Sequence, residues 1–541
     1  MLKYPPEEEF GNIEYKLTLV NKTDERITSL ASQMRMRMDE GSGEAIYVIG
    51  VTDDGEIMGV NDEDFTESFN NLSIAADKND YSMTMLESKD IKSKDNIKRK
   101  VYELLIRERN TNTYIDIKVA VAGNVDSGKS SLLGVLTSGN NDNGRGSARL
   151  SIFNFKHEVS SGRSSSIAHH ILGFDDKGQV MNYSGLHKKG WPEIVKDSAK
   201  VISFYDLCGH EKYLRTTILG LTSSSPDLCL ILVGANMGLS KMTHEHIFLC
   251  VSLNIPFAIV LTKIDICINR KNIMKDTIKS INKLLKMPGI RRIPYKVTNL
   301  EDVIICAKNV RTESVVPLFA VSNVTGNGIG LIKQFLNLLG KVQSNVREGV
   351  KDVEMHIDTT FSIPGVGTVI GGQLLSGNIK VGDKLLLGPN NEVYREVQVR
   401  SIQCKRVPIH EVKYGSYICI GLKKIDRKTI RRGNVVISKG SKEIIVREFD
   451  ADITVLKSHS TTIREGYEPI VHSCTMRQSA KVISITNKVN SRDGNEENDY
   501  ILRTGDKATI RFRFSFHSEY IKSGDRVLMV DGKCKIIGVV K

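Results

Sequence analysis

The sequence predicts a multidomain chain: a small N-terminal α+β domain, a P-loop α/β domain, and two further β-rich domains read as β-barrels. Three observations predict it. Asp116–Ala122 reads as a strand, is followed by G-x-x-x-x-G-K-S over Gly123–Ser130, and leads into a helix through Leu136. Strands then alternate with helices to about residue 342, the pattern of a doubly wound sheet. Beyond that point short strands are broken by Gly, Pro and Asp turns to the C-terminus. The expected domains are 1–113, 114–342, 343–445 and 446–541.

Bulk properties agree with several folded domains. The chain has 541 residues, 40% hydrophobic and 26% charged, too many for a single core. Its net charge of +13 favours an anionic partner such as RNA, the ribosome or a membrane surface. No run reaches eighteen apolar residues, so no membrane-spanning helix is expected. The start, MLKYPPEEEF, is acidic and unlike a cleavable signal. Nine scattered cysteines without a C-x-x-C pair fit reduced thiols in a cytosolic or nuclear protein. A cytoplasmic location, no membrane partner and no obligate oligomer are expected.

In the leading domain, Glu14–Asn21 reads as a strand. Asp24–Met38 reads as a helix with Ile27, Leu30, Met34 and Met38 on one face. Glu44–Gly59 reads as a hairpin around Asp54-Gly55. Asp62–Asp77 reads as a helix, and Tyr81–Leu86 and Val101–Arg109 as strands. The basic stretch before Val101, with Lys94, Lys98, Arg99 and Lys100, is either a phosphate contact or a solvated strand approach.

In the second domain the glycines of the loop let successive N–H groups face phosphates, and the helix N-terminus adds a favourable dipole. Lys129 would reach the outer phosphates and the Ser130 hydroxyl would bind Mg2+. The eight-residue pattern arises by chance in roughly one chain in fifty of this length, but not with a strand before it and a helix after it. A long polar excursion, Asn140–Ser166, is too long for a passive connection and reads as a switch or lid. The strand Lys200–Leu207 ends in Asp206, followed by Gly209 and His210. Ile255–Leu261 ends in Thr262, Lys263, Ile264 and Asp265, and Leu318–Ser322 ends in Ser322 and Asn323. All these loops follow strands, where an open α/β sheet binds ligands.

Asp206 has the placement of a second carboxylate for the metal, acting through water. Gly209 N–H is set to sense the terminal phosphate. Lys263 can lay its stem over a purine, and Asp265 can accept from a guanine N1–H and its exocyclic amine. Adenine lacks that donor pair, so GTP is selected over ATP. Ser322 and Asn323 would approach the guanine carbonyl through backbone. His210 directly follows D-L-C-G, which suits a residue that orients the attacking water. His157, His169, His170 and His244 read as loop or helix histidines without a ligand cluster.

The third region, Val353–Asp358, Gly367–Leu375, Val397–Cys404 and Tyr417–Leu422, indicates a barrel or sandwich. The pattern renews from Phe449 through Ala451–Leu456, Ile470–Cys474, Ala480–Thr486, Lys507–Phe514 and Arg526–Val530, which reads as a second barrel. Ser491–Asp499 is a polar loop.

The set GNVDSGKS, DLCGH, TKID and SN resembles translational GTPases of the elongation factor 1-alpha and elongation factor Tu class, whose GTPase domain precedes two β-barrels. AVAGNVDSGKSSLLGVL, NGRGSARL, SGRSSSI, ILGFDDKG, DLCGHEKYLRTTILGLTSSSPD, SNVTG, PGVGTV, LRTGDKA and the leading GEAIYVIGVTDDG are similar to one branch, the family of GTP-binding proteins 1 and 2. The resemblance implies a P-loop α/β GTPase domain with GTP/GDP and Mg2+ as ligands and slow intrinsic hydrolysis stimulated by the ribosome. It implies nucleotide contacts from Gly123, Asn124, Val125, Asp126, Ser127, Gly128, Lys129, Ser130, Ser131, Thr262, Lys263, Asp265, Ser322, Asn323 and Val324. Catalysis would fall to His210, Lys129 and Gly209, with Val125 in an apolar gate that holds His210 back. Metal ligands would be Ser130, Asp206 and Ser164, the last standing where the class has a threonine and sharing its segment with Ser165 and Ser166. Arg145 and Arg149 would meet phosphate or ribosome. Implied partners are aminoacyl-tRNA and the ribosome, with barrel residues around Gly365–Gly372 supporting tRNA, and a link to RNA-decay machinery. A carrier GTPase for a termination or rescue factor, and a GTP-regulated scaffold in RNA decay, are the alternatives.

Overall fold

The structure is a computed structural model. It describes residues 6–7, 10–92, 98–109, 114–150, 152, 167–184, 187–268, 270–287, 289–312, 314–341, 350–423, 425–456, 462–489, 501–531 and 533–541. Ser164, Ser165, Ser166, His157, Lys94 and the Ser491–Asp499 loop lie outside the described residues.

The leading region holds β1 (Ile13–Lys16), α1 (Asp24–Glu40), β2 (Glu44–Ile49), α2 (Asp62–Lys78), β3 (Tyr81–Lys92) and β4 (Lys98–Glu108). The sheet order is β1-β2-β4-β3. Ile27, Leu30, Ala31, Met34 and Met38 recur at helical spacing and are buried. Asn61 caps α2 by accepting from Asp64 N at 2.7 Å. Of the hairpin expected over Glu44–Gly59 only the tip forms: the chain turns at Asp54-Gly55, with Gly55 N donating to Thr52 O at 2.8 Å and Thr52 N to Glu56 O at 3.0 Å, and Val51 bridges Ile57. β2 itself pairs parallel with β1 and antiparallel with β4. The reason is that β2 is central and every residue of it is buried, so neither edge is free to take its sequence neighbour. Side chains alternate across β2 and β4. Ala45, Tyr47, Ile49, Leu104 and Ile106 pack with α1 and α2. Ile46, Val48, Val101 and Leu105 belong instead to a core shared with the next sheet.

That sheet has seven strands: β5 (Ile115–Gly123), β6 (Ala168–Phe174), β7 (Lys200–Asp206), β8 (Leu228–Gly234), β9 (Phe257–Thr262), β10 (Ile293–Lys296) and β11 (Val315–Ala320). Their order is β10-β11-β9-β8-β5-β7-β6. All pairings are parallel except β6 with β7, so the expected doubly wound sheet gains one antiparallel edge. Its helices are α3 (Lys129–Ser138), α4 (Ser147–Leu150), α5 (Trp191–Asp197), α6 (Leu214–Ser224), α7 (Lys241–Leu253), α8 (Lys271–Leu285), α9 (Leu300–Asn309) and α10 (Ile329–Leu338). α7 begins at Lys241, where Ser240 caps it by accepting from Thr243 N at 3.2 Å.

Both β-rich regions close into barrels, which settles the barrel-or-sandwich alternative. In the first, the sheet running from Lys384–Asn390 to Val393–Cys404 is joined into a ring because those two strands also pair with each other. The second is a closed ring of Glu448–Val455, Lys507–Phe514, Met476–Val489, Ile470–Ser473, Arg526–Asp531 and Lys533–Val540. Closure removes the open edges that would template aggregation.

Buried charge marks the joints. Glu44 and Arg107 are cross-strand partners, and both are at most 2% exposed. Lys200, at the start of β7, donates to both carboxylate oxygens of Glu44 at 2.9 Å. Arg107 donates to the Asn337 side chain and carbonyl oxygen on α10 at 2.8 and 2.7 Å. On the other side, Lys405 from the first barrel meets Asp116 at 2.6 Å, and Arg406 lies over the Trp191 ring at 4.4 Å. Arg431 of the first barrel meets Glu519 of the second at 2.8 Å. Leu528 and Val530 of the second barrel join the core formed with α6 and α7. No described helix is long and apolar enough to cross a membrane.

Candidate nucleotide site

The site forms where β5, β7, β9 and β11 end, on one rim of the sheet. The loop after β5 bends through left-handed backbone at Asp126 (φ 60°) and Gly128 (φ 85°), the conformation glycine adopts without cost. Gly128 is the residue before α3, so the free N–H groups of that helix open onto the loop. Ser127 is buried and its Oγ donates to Asn124 O at 2.8 Å, fastening the loop to itself.

Lys129 lies beneath the loop, 8% exposed, and its Nζ donates to Gly123 O at 3.2 Å and Asn124 O at 3.0 Å. Burial pushes its ammonium below the ordinary lysine value, and the Asp206 carboxylate is the largest opposing influence. Ser130 Oγ donates to Asp206 Oδ2 at 2.9 Å. This pair of adjacent hard oxygens is the donor chemistry that Mg2+ takes. Gly209 closes the other wall. A Cβ there would sit 2.5 Å from Lys129 Nζ and 2.6 Å from Gly123 O, so only glycine lets this segment approach the phosphate loop. Strands β5 and β7 pair directly, with Val121 opposite Asp206, which brings these groups together from distant parts of the chain.

Two side chains tie the second half of the cradle to the first. Thr262 Oγ1 donates to Ser127 O at 2.7 Å. Lys263 then takes a left-handed conformation (φ 60°), and Asp265 lies in the short turn Ile264–Cys267. Ile264 N donates to Val321 O at 3.4 Å, which ties this turn to the end of β11. There Ser322 is fully buried and its Oγ accepts from Val324 N at 3.2 Å and Thr325 N at 3.1 Å. Asn323 Nδ2 donates to Gly128 O at 3.4 Å, while Asn323 Oδ1 is buried with no partner among the described residues. That orphaned acceptor, the backbone cradle and the oxygen pair together fit a nucleoside phosphate with its metal.

Val125, Asn124 and Ser131 are half-buried and Asp126 is exposed. His210 is exposed. Its Nδ1 accepts from Lys212 N at 3.1 Å and its ring stands 6.1 Å from that of Tyr213, so its described contacts run along its own turn and leave Nε2 as the nitrogen available for chemistry. His169 packs between Tyr205 and Tyr417, at 4.8 and 5.4 Å, a contact across the joint with the first barrel. Asp142 is a residue the sequence reading missed. Its carboxylate accepts from Ala148 N at 2.9 Å and Gly146 N at 3.2 Å, and its own N–H donates to Asn323 O at 2.8 Å. It holds the start of the long excursion against the loop after β11. An Asp followed by glycines is the only signal it leaves in the sequence.

Residues 116–351 match the elongation factor Tu GTP binding domain family, and residues 367–437 match elongation factor Tu domain 2. The chain is 43% identical to GTP-binding protein 1 of Xenopus laevis, over 98% of this chain and 78% of that protein. It is 42% identical to GTP-binding protein 2 of Homo sapiens, over 99% and 87%. Among solved structures, translation elongation factor SelB from Methanococcus maripaludis, in complex with the GTP analogue GppNHp, superposes with a TM-score of 0.55 at 21% identity and 79% coverage of each chain.

Proposed function

This chain belongs to the family of GTP-binding proteins 1 and 2, translation-factor-like GTPases, and from that premise we propose that it is a GTP-driven switch acting with aminoacyl-tRNA on the ribosome. The observation that carries the nucleotide part is the convergence of Lys129, Ser130, Asp206 and Gly209 within one cradle, strapped to the Asp265 loop by Thr262. GTP binds with its phosphates on the backbone amides of residues 124–130. Lys129 moves from the loop carbonyls to the outer phosphate oxygens, a transfer helped by the modest number of bonds it gives up. Ser130, and Asp206 through water, would hold Mg2+, which when bound would neutralise phosphate charge. Asp265 accepts from guanine, Lys263 lies along the base, and Ser322, Asn323 and Val324 line its carbonyl edge. His210 orients the attacking water through Nε2 once its turn swings inward, past the side chain of Val125. By the resemblance, Ser164, or its neighbour Ser165 or Ser166, would supply the remaining metal ligand; all three lie outside the described residues.

Charge supports the RNA part. Arg215 on α6 and Arg432 of the first barrel each lie near Arg477 of the second. Burial lowers the Arg477 guanidinium from its usual value and the two neighbouring arginines lower it further. Arg432 and Arg477 border a cavity of about 470 Å³ that also takes in Arg431 with its partner Glu519, His517 and the exposed ring of Phe516. Such a concentration of cations where three domains meet is suited to phosphates, and the aromatic ring to a base. Domain limits of 1–113, 114–342, 343–445 and 446–541 accord with a switch whose joints are the ion pairs described above. The deciding experiment is GTP hydrolysis with and without ribosomes and aminoacyl-tRNA, for wild type and His210→Ala. Stimulation in wild type that falls about 100-fold or more in the variant, with GTP affinity unchanged, is expected. Equal rates for both proteins in every condition would refute the reading.

A further inference from the structure

Positive charge is gathered on one flank of the GTPase sheet. From Arg270 to Lys296 the sequence holds nine Lys and Arg against one carboxylate, Asp276. This segment therefore carries eight of the thirteen net positive charges of the whole chain. It comprises α8, the turn after it and edge strand β10.

The helix divides the charge from the core. Thr277, Ile281, Leu284 and Leu285 are buried beneath it. Lys275, Lys279 and Lys283 recur every four residues and are exposed, and Lys286 and Arg291 continue the line beyond the helix. Among the described residues none of these five makes an ion pair. Like charges one turn apart weaken a helix, and surfaces normally intersperse both signs. This flank does neither thing a solvated face does to limit repulsion.

The spacing identifies the anion. A rise of about 1.5 Å per residue sets successive lysines about 6 Å apart in a line, close to the step between phosphates along one strand of an A-form helix. A membrane is a poorer match. Helices that lie on bilayers insert a continuous apolar face, whereas Ile281, Leu284 and Leu285 of α8 are in the protein core and, of its apolar residues, only Ile273 is left exposed. A compact acidic ligand would use one or two of these cations, not a line of five.

We infer that the exposed flank of α8, with Lys286 and Arg291, is a docking surface for the phosphate backbone of double-helical RNA, read without regard to sequence. α8 packs chiefly against the turn Ile264–Cys267 and β10, and Thr277 Oγ1 donates to Ala235 O at 3.3 Å; none of these residues lines the arginine cavity. The choice of RNA as the polyanion rests on the ribosomal reading above, and the test separates the two.

Full-length GTP-bound protein is titrated against a fluorescent RNA duplex across a salt series, with aminoacyl-tRNA binding, GTP affinity and helical content measured in parallel. In Lys275→Gln/Lys279→Gln/Lys283→Gln, duplex affinity falls at least about tenfold and the slope of log affinity against log salt shrinks by about 2–3. GTP affinity, helical content and aminoacyl-tRNA binding stay as in wild type. The conservative Lys→Arg triple restores the duplex affinity, and Lys286→Gln/Arg291→Gln weakens it in the same direction. Unchanged duplex affinity and salt slope in both Gln variants would overturn the inference. So would a loss of binding to phosphatidylserine vesicles or polyglutamate with duplex binding intact. Failure of aminoacyl-tRNA to bind either protein, with the stripe effect present, would overturn the switch reading and leave this surface standing.

Discussion

Replacing Glu44 by Ala tests the joint between the leading sheet and the GTPase sheet. Glu44 is 2% exposed, Arg107 1% and Lys200 0%. The carboxylate accepts twice from Lys200 at 2.9 Å and twice from Arg107, from Nη2 at 3.0 Å and Nε at 3.3 Å. Without it, two buried cations face each other across the Asn337 carbonyl oxygen, which accepts from both at 2.7 Å. Removing one partner from a buried ionic cluster costs about 3–5 kcal/mol. At about 1.4 kcal/mol per factor of ten, local opening should become about 100- to 4,000-fold more frequent. Native-state hydrogen exchange reads this directly. Amides of β2 and β4 should lose protection by that factor, while those of Lys507–Phe514 in the far barrel should not change. A companion, Glu44→Leu/Arg107→Met/Lys200→Met, removes all three charges together. It should cost clearly less than the single variant, because no ion is left buried without compensation, although the Asn337 oxygens lose their donors. Less than a tenfold change for Glu44→Ala, or a companion as damaging as the single variant, would refute the reasoning.

Two further outcomes follow from the same geometry. Ser130→Ala removes the hydroxyl beside Asp206, and since a hydrogen bond to a charged group contributes about 1.5–3 kcal/mol, nucleotide affinity at limiting Mg2+ should fall about tenfold or more. A fluorescent nucleotide titration at several Mg2+ concentrations checks it, and an unaltered Mg2+ dependence would remove Ser130 from the metal site. Glu354 concerns the joint between the barrels: burial raises its pKa, but His356 and Lys522 more than reverse this and hold it at about 2 against an ordinary 4.5. A depressed carboxylate stabilises above its unfolded pKa and ceases to as pH falls through the folded one, so about 3 kcal/mol should be lost between about pH 5 and pH 2. The stability gap between wild type and Glu354→Gln in urea unfolding should narrow over that range; a gap independent of pH would contradict the assignment.

The sequence made most of the nucleotide site legible, because its parts are local. Gly123–Ser130, Asp206 and Thr262–Asp265 each sit at the end of an apolar strand, and the chemistry of each is written within a few residues. The barrels were legible from turn spacing. What could not be read depends on neighbours remote in the chain. The apolar run Glu44–Ile49 and the Asp54-Gly55 turn suggested a hairpin, yet β2 takes partners from residues 13–16 and 98–108 instead. Glu44, Arg107 and Lys200 look like ordinary surface charges in strands, and their burial exists only once two sheets meet. β6 escaped notice because His169 and His170 break its apolar run, and it pairs only as an edge. The arginine junction draws one residue from each of three domains, so no window of sequence contains it.

The core shared between the leading sheet and the GTPase sheet bears on how this protein can be taken apart. Ile13 and Ile46 line a small gap together with Ile304, Ala307 and Leu338, and the same apolar mass runs on to Leu132 and Phe319. A chain cut before Tyr114 would bare that wall to water, where an uncovered apolar patch invites association. The first hundred residues are thus less an appendage than a sealing plate. A trimmed GTPase that precipitates would report the loss of its cover, not the loss of its catalytic loops.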